Sequence, residues 1–275
     1  MGGGQPGRAL AVAEYGGGER RVGDAMITIS LGWGVQSFTL AAMSALGDLP
    51  RVDAAIHADT THERAETYEF AARWAPWLEE HGIQVVTVQD PKPQPVDEYG
   101  GMMIPAYMIT NKGNGQMSRQ CTANWKRAPI RRWLQTNRNK QPVEVWIGIS
   151  LDEALRMKPS DVKYITHRWP LIEKRMKRND CVNWLKAHNL EVPPKSSCVF
   201  CPFHDMATWR DLKMSDNGNW KKAVEVDEMI HKIRPPFDLF VHPARKPLVE
   251  VDVRNQEDRG QLRLWDEECT GYCGL

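Results

Sequence analysis

The chain has 275 residues, 41% hydrophobic and 26% charged, enough apolar material for a sizeable core, which excludes disorder as a description of the whole. Its 36 Lys and Arg against 35 Asp and Glu leave a formal net charge of +1, so no global field draws it to nucleic acid or to an acidic membrane. No run of about 18 apolar residues and no signal-peptide core is present, and 6 cysteines are too few for a disulfide scaffold, so a cytoplasmic protein without a membrane partner is expected.

Residues 1–25 carry two Gly triplets and no hydrophobic period, the composition of a flexible extension that stays out of the core. From Met26 onward, short β-branched runs alternate with longer amphipathic ones. The expected strands are Met26 to Leu31, Val52 to Ala58, Ile83 to Val88 and Val143 to Ile149. Helices are expected after the first two: Val35 to about Leu46, and about Glu63 to Glu80, with Pro76 as a kink or early stop. This alternation is the pattern of parallel strands joined by right-handed crossovers. Such folds gather their loops at the carboxyl edge of the sheet, where ligands bind.

Gln89 to Gln120 is rich in Pro, Gly and Asn without a period and reads as a long irregular loop. Beyond Leu151 the pattern breaks into shorter helical pieces: "RNDCVNWLKAHN" capped by Asn179 or Asp180, "MATWRDLKM" capped by Asp205, and "WKKAVEVDEMIHKI". The expected organisation is an α/β domain over 26–178 and a helical, cysteine-containing subdomain over 179–275.

Three loops carry candidate chemistry. In "ISLGWGVQSFTLAAM" a strand hands over to a helix through Gly32 and Gly34. The helix start there offers unpaired N–H groups and a positive dipole end to a phosphate, and Ser30 and Ser37 add hydroxyls. In "HADTTHERAET", Asp59 and Thr60 follow the second strand. In "WIGISLDEALRM", Gly148 and Ser150 end the fourth strand, and Asp152, Glu153 and Arg156 open a helix. All three fall on one edge of the sheet and together make a pocket.

These segments resemble the phosphoadenosine phosphosulfate (PAPS) reductase family of the PP-loop ATP-pyrophosphatase, or adenine nucleotide alpha hydrolase-like, superfamily. "SLGWGVQS" is similar to the family's SGGxDS phosphate loop, "DTTHERAET" to its DTG...PET segment, "GISLDEALRM" to G-I-R-x-x-E-S-x-x-R and "CTANWKRAPI" to C...K..PL. The resemblance runs from about Met26 to the carboxyl terminus. It implies a Rossmann-like parallel sheet with helices on both faces, a nucleotide-binding domain over 26–178, and ATP or PAPS as the adenine nucleotide. Ser30, Gly32, Gly34, Val35, Gln36 and Ser37 would then hold phosphate, Asp59 and Thr60 would line the nucleotide site, and Lys126 and Arg156 would meet anionic oxygens. Gln36 stands where the family's acidic residue would engage magnesium, and Ser150 where an Arg is common.

The cysteines add a second signal. Cys198 and Cys201 in "SSCVFCPF" have the C-x-x-C spacing of a metal-binding turn, and spacing alone leaves zinc, an iron-sulfur cluster or plain thiols open. The resemblance favours a 4Fe-4S cluster, with Cys121 as a further ligand and Cys269 as a candidate fourth. The tail "EECTGYCGL" also splits the terminal E-C-G-L-H motif of sulfonucleotide reductases, which makes Cys269 and Cys273 candidate nucleophiles. Cys181, among Val182, Trp184 and Leu185, reads as core.

No acidic residue lies between Glu98 and Glu144, while Lys112, Arg119, Lys126, Arg127, Arg131, Arg132, Arg138 and Lys140 do. This local excess marks a candidate floor for nucleotide phosphates or a nucleic-acid backbone, with Trp125 and Trp133 read as core more readily than as stacking platforms. His57, His62 and His204 fall near the candidate sites. The expected function is nucleotide-activated, iron-sulfur-dependent sulfur transfer to a nucleic acid or small molecule, served by a sulfur- or electron-donor protein. The alternatives are a sulfonucleotide reductase releasing sulfite and a non-catalytic, zinc-stabilised binding module.

Overall fold

A computed structural model describes residues 25–215, 217–231, 233, 238–255 and 258–259. Among these, in chain order, the strands are β1 (Met26–Ser30), β2 (Ala54–Asp59), β3 (Gln84–Gln89), β4 (Tyr107–Thr110), β5 (Gly113–Gln116), β6 (Val143–Ile147), β7 (Ile165–Arg168) and β8 (Asp238–Phe240). The α-helices are α1 (Val35–Leu46), α2 (Ala65–Glu80), α3 (Ala128–Asn137), α4 (Pro170–Glu173), α5 (Arg178–Ala187), α6 (Met206–Met214) and α7 (Asn219–His231). They divide between two compact units, one made of the residues up to Pro91 with Ala123–Ser196, the other of Lys92–Thr122 with the residues from Ser197 onward. The expected border at 178/179 falls inside the first unit, which keeps α5.

The first unit is a Rossmann-like α/β fold. Its five-stranded sheet has the order β3-β2-β1-β6-β7, and every neighbouring pair is parallel. Strand alternation sorts the apolar side chains onto two faces. Ile29, Ala55 and Trp146 pack in one cluster with Phe38 and Leu40 of α1, Phe70 and Leu78 of α2, Leu171 of α4 and Leu185 of α5. Ala54, Ile56, Val143 and Val145 pack in another with Leu134, Ile130 and Trp133 of α3. Each fully buried Leu, Ile or Phe contributes about 1.5–3 kcal/mol of transfer free energy, so these clusters are the main support of the sheet.

Helix α1 is buried on all sides from Val35 to Ala45, which includes the polar Gln36, Ser37, Thr39 and Ser44. It ends at Gly47, whose φ of 88° gives the left-handed stop that a side chain would resist. Helix α2 passes through Pro76 and reaches Glu80, the expected end, so the early stop offered at Pro76 is not taken. Pro76 and Ala72 are both exposed, so water can satisfy the carbonyl that Pro76 leaves without a donor, while Phe70 and Leu78 anchor the helix on either side. Helix α5 starts a turn earlier than its expected caps: Lys177 is the cap residue, and Asp180 reaches back to accept its N–H at 2.8 Å.

The second unit contains a three-stranded antiparallel sheet, β5-β4-β8, with α6 and α7. Residues 107–116, expected as irregular loop, therefore form a hairpin in which Thr110 Oγ1 donates to the Gly113 carbonyl at 2.8 Å. Strand β4 is completed by β8, more than a hundred residues away in sequence. Helix α6 is capped as expected by Asp205, which accepts the Thr208 N–H. Asp227 of α7 is 1% exposed and accepts the N–H groups of Val241 at 2.9 Å and Leu248 at 2.7 Å, tying the segment after β8 to the helix. Among the described residues, no helix is long and apolar enough to cross a membrane.

Candidate nucleotide site

Parallel order makes β1 and β6 adjacent while their loops lead to opposite faces of the sheet, which opens a crevice at their carboxyl ends. The loop after β1 is held by its own polar groups. Ser37 Oγ accepts the Gly32 N–H at 3.1 Å and donates to the Gly34 carbonyl at 3.2 Å. Trp33 sits between the glycines with φ 56°, a costly backbone region for a bulky residue. Its ring, 2% exposed, is fixed against Phe38, Phe70 and His57. Gly34 is the cap residue of α1 and offers no side chain to the first-turn amides, and that turn holds no acidic residue. The positive end of α1 is therefore left for an anion.

The loop after β6 lies directly on this turn. A Cβ on Gly148 would stand 2.7 Å from the Ser37 nitrogen and 2.9 Å from its Cα, so only glycine permits the approach. Gln36 joins the two loops. Its Oε1 accepts from Arg178 Nη1 at 2.8 Å, and its Nε2 donates to Glu153 Oε2 at 3.2 Å and to Ser150 Oγ at 3.4 Å. Glu153 also pairs with Arg156, so the expected anion ligand Arg156 is tied to the same network. Ser150 is fully buried, and its hydroxyl hydrogen bond, followed by the Arg178 N–H, holds the Asp152 carboxyl below the usual range. Leu151 to Arg156 form a 3-10 turn in place of the expected helix start.

On the other flank, β2 ends at Asp59. Its Oδ1 accepts the Thr61 N–H at 2.7 Å and the Tyr68 hydroxyl at 2.8 Å, and burial together with this hydrogen bond raises the Tyr68 pKa. Thr60 is fully buried. His57 Nδ1–H donates to the Leu31 carbonyl at 3.1 Å, and burial pushes its pKa down, so it is neutral at pH 7 and rigidly placed. Glu63, 3% exposed, pairs with Lys126 at 3.1 Å. Lys126 lies in a π-helical turn, Thr122–Arg127, that leads into α3, and Pro129 within α3 cannot donate to the Trp125 carbonyl.

The structure thus brings Ser30, Gly32, Gly34, Val35, Gln36, Ser37, Gly148 and Ser150 to the adjoining ends of β1 and β6, with Asp59 and Thr60 at the next strand. Arg178 lies in the basic run "EKRMKRN", Glu173 to Asn179, but its bond to Gln36 was not foreseen, and Glu63, between His62 and Arg64, carried no signal that set it apart from a surface charge. The basic stretch between Glu98 and Glu144 is largely compensated from elsewhere in the chain: Arg127 and Arg131 pair with Asp161, Arg132 with Asp90 at 3.8 Å, and Arg138 lies over the Tyr164 ring. Trp125 is 2% exposed, and Trp133 of α3 packs, partly buried, against the cluster that α3 covers. The His62 ring lies 5.7 Å from that of Trp125.

Cys121, Cys198 and Cys201 belong to the second unit. The Cys198–Cys201 turn is formed, with the Cys201 N–H on the Cys198 carbonyl at 3.1 Å and His204 Nε2–H on the same carbonyl at 2.9 Å. Among the described residues, however, no three His, Cys, Asp or Glu side chains stand together as a metal-holding group. Cys269 and Cys273 lie outside the described residues. Cys181 is fully buried, and burial pushes its thiol up to about 11, the state of an inert core cysteine.

Fold and loops together define an α/β protein with a parallel sheet in which the turns after β1 and β6 meet at the start of α1. No protein-family model matches the chain, and no curated protein matches it. Among solved structures it is similar to PAPS reductase from Candida auris in a phosphate complex, with 10% identity and a TM-score of 0.42 over 62% of this chain and 76% of that one. A superposition that loose transfers no residues.

Proposed function

We propose that the protein is an enzyme that binds an adenine nucleotide, ATP or PAPS, by its phosphates at the β1/β6 crevice and uses it in sulfur chemistry. The observation that carries this reading is the uncapped first turn of α1, pressed against Gly148 and flanked by Arg178 on Gln36. The sulfur half rests on the Cys198–Cys201 turn and on the motif resemblance of "SLGWGVQS", "DTTHERAET", "CTANWKRAPI" and "GISLDEALRM" in family order. The favoured reaction is transfer: an acceptor oxygen attacks the α-phosphorus of ATP and releases pyrophosphate, then a sulfur nucleophile displaces AMP from the activated acceptor. The acceptor is a nucleic acid or a small molecule. A bound 4Fe-4S cluster would supply or hold sulfide; it would need ligands beyond Cys198 and Cys201.

Oxygen-free protein incubated with ATP or with PAPS, with products separated, tests this. AMP and pyrophosphate formed with a sulfur source and acceptor support transfer. Sulfite released from PAPS, abolished in Cys269→Ser or Cys273→Ser, supports the reductase reading. Zinc in the purified protein with neither product supports a non-catalytic module. Metal and sulfide analysis of the same preparation decides between cluster and zinc, because only the cluster brings inorganic sulfide.

A further inference from the structure

The turn from α4 into α5 carries "KRMKR", Lys174 to Arg178. Lys174, Arg175, Lys177 and Arg178 are all exposed, and among the described residues none of them pairs with a carboxylate. The neighbouring acids are engaged elsewhere: Glu173 holds Arg168 at 2.7 Å, Asp180 accepts the Lys177 N–H at 2.8 Å, and Asp152 accepts the Arg178 N–H at 3.1 Å. The run thus differs from Arg127, Arg131 and Arg132, whose charges are met by acids outside their stretch. Its backbone is also pinned. The Arg175 N–H donates to the Ile172 carbonyl at 2.9 Å and the Met176 N–H to the Leu171 carbonyl at 2.8 Å, the closure that ends a helix on a left-handed residue. That residue is Arg175, with φ 55°, where glycine would be free of strain. Met176 packs inward against the cluster around α1, and its carbonyl accepts the Leu151 N–H at 2.8 Å, which fastens the run to the loop after β6. At the end of the run Arg178 donates to Gln36 in the first turn of α1.

We infer that Lys174, Arg175, Lys177 and Arg178 form a rim that carries the sugar–phosphate backbone of a nucleic-acid acceptor past the nucleotide crevice. The inference rests on the nucleotide reading above and names its acceptor. A protein partner needs an apolar or aromatic anchor at the centre of the patch, and the apolar residue of this run, Met176, is turned away from solvent. A lone phosphate needs fewer cations; a close-set row of them suits a chain of evenly repeated phosphates, which basic side chains hold without reading sequence. An arginine kept at a left-handed position, where glycine would be less strained, fits a side chain retained for contact rather than for folding.

The test is fluorescence anisotropy of the full chain with fluorescein-labelled single-stranded RNA and DNA of one mixed sequence, across a salt series, beside calorimetric titration with ATP. The variants are Arg175→Gly and the triple change Lys174→Gln, Arg175→Gly and Lys177→Gln; Arg178, which holds Gln36, stays intact. Oligonucleotide affinity of the unaltered chain should fall steeply with salt. Each phosphate contact contributes about −0.7 to the log–log slope, so the triple variant should lose about 2 of that slope and about tenfold or more in affinity at about 50 mM salt. Its ATP affinity should stay within about twofold of the unaltered chain, the scale of a site left untouched. Arg175→Gly alone should bind the oligonucleotide about threefold or more weakly yet melt no lower than the unaltered chain, a pair of outcomes that a merely structural arginine would not give. Should the triple variant fail to fold, Arg175→Gly decides by the same comparison. Binding of RNA or DNA by this route supports the inference, and the tighter of the two names the acceptor. Oligonucleotide binding that is absent, indifferent to the variants, or equalled by a labelled polyglutamate of the same charge overturns the inference while the nucleotide reading stands. A chain that binds no ATP fails the nucleotide reading, and the acceptor role falls with it.

Discussion

Gly148→Ala is the sharpest perturbation of the crevice. The added methyl carbon would sit 2.7 Å from the Ser37 nitrogen, 2.9 Å from Ser37 Cα and 3.1 Å from the Gln36 carbonyl carbon, all backbone atoms that cannot rotate away. Carbon atoms rest about 3.5–4.0 Å apart, so the loop after β6 and the start of α1 must separate by roughly 1 Å. Overpacking of this kind costs about 1–3 kcal/mol. At about 2–4 °C per kcal/mol for a unit of this size, the melting temperature should fall by roughly 2–12 °C. The 11 tryptophans make fluorescence-detected melting a practical assay. The separation also strains the Gln36 bonds to Ser150 and Glu153, so nucleotide affinity should fall with stability. Gly34→Ala is the control. Its added carbon would meet only Ser196 Cβ at 3.6 Å, and its φ of −93° suits alanine, so the melt should hold or rise slightly while phosphate binding is lost to the methyl group. A Gly148→Ala protein with unchanged melting and binding, or a Gly34→Ala protein that unfolds early, would refute this account of the two glycines.

Other consequences are as direct. Gln36→Glu replaces the amide donor 3.2 Å from Glu153 with a second carboxylate; the melt should drop by an amount worth about 1–3 kcal/mol, and by less at low pH, where one carboxyl is protonated. Asp227→Asn leaves one of the two backbone N–H groups of Val241 and Leu248 facing an amide NH2, so urea denaturation should show a loss of about 1–3 kcal/mol. His57 has a folded pKa below its unfolded value of about 6.5, so its stabilising effect is complete above that pH and is lost as pH falls toward the folded pKa. Melting temperature should therefore decline on acidification below about pH 6.5, and His57→Asn, which keeps a donor for Leu31, should flatten the decline. His242, also shifted down by burial, keeps it from vanishing. A slope unchanged by the substitution would count against His57 as its source.

The parts of the fold legible in sequence are those written in local chemistry. Gly34 and Gly47 bracket an apolar run, and α1 occupies the expected residues, Val35–Leu46. The strands β1, β2, β3 and β6 follow their β-branched runs to within a residue or two at each end. Strand β5 was invisible because "GNGQ" has no strand propensity, and β7 because "ITHR", though it opens on two β-branched residues, is too short to show an alternation; pairing partners supply what sequence does not. The phosphate loop was legible because glycine, hydroxyl and helix start are contiguous. The particular partners of Arg178 and Glu63 were not, since Gln36 and Lys126 are distant in sequence, although Arg178 stood out as part of the basic run "EKRMKRN". For the same reason the basic stretch between Glu98 and Glu144 overstated its charge: Asp161, Asp90 and Glu63 come from outside it.

Hydrogen exchange of the full chain with and without ATP reads the crevice most directly. Added nucleotide should slow exchange at the amides of Gly32 to Ser37 and of Gly148 to Glu153, and the effect should disappear in Gly34→Ala. Saturating ATP that leaves these amides unprotected, or protects a different segment instead, would contradict the assignment.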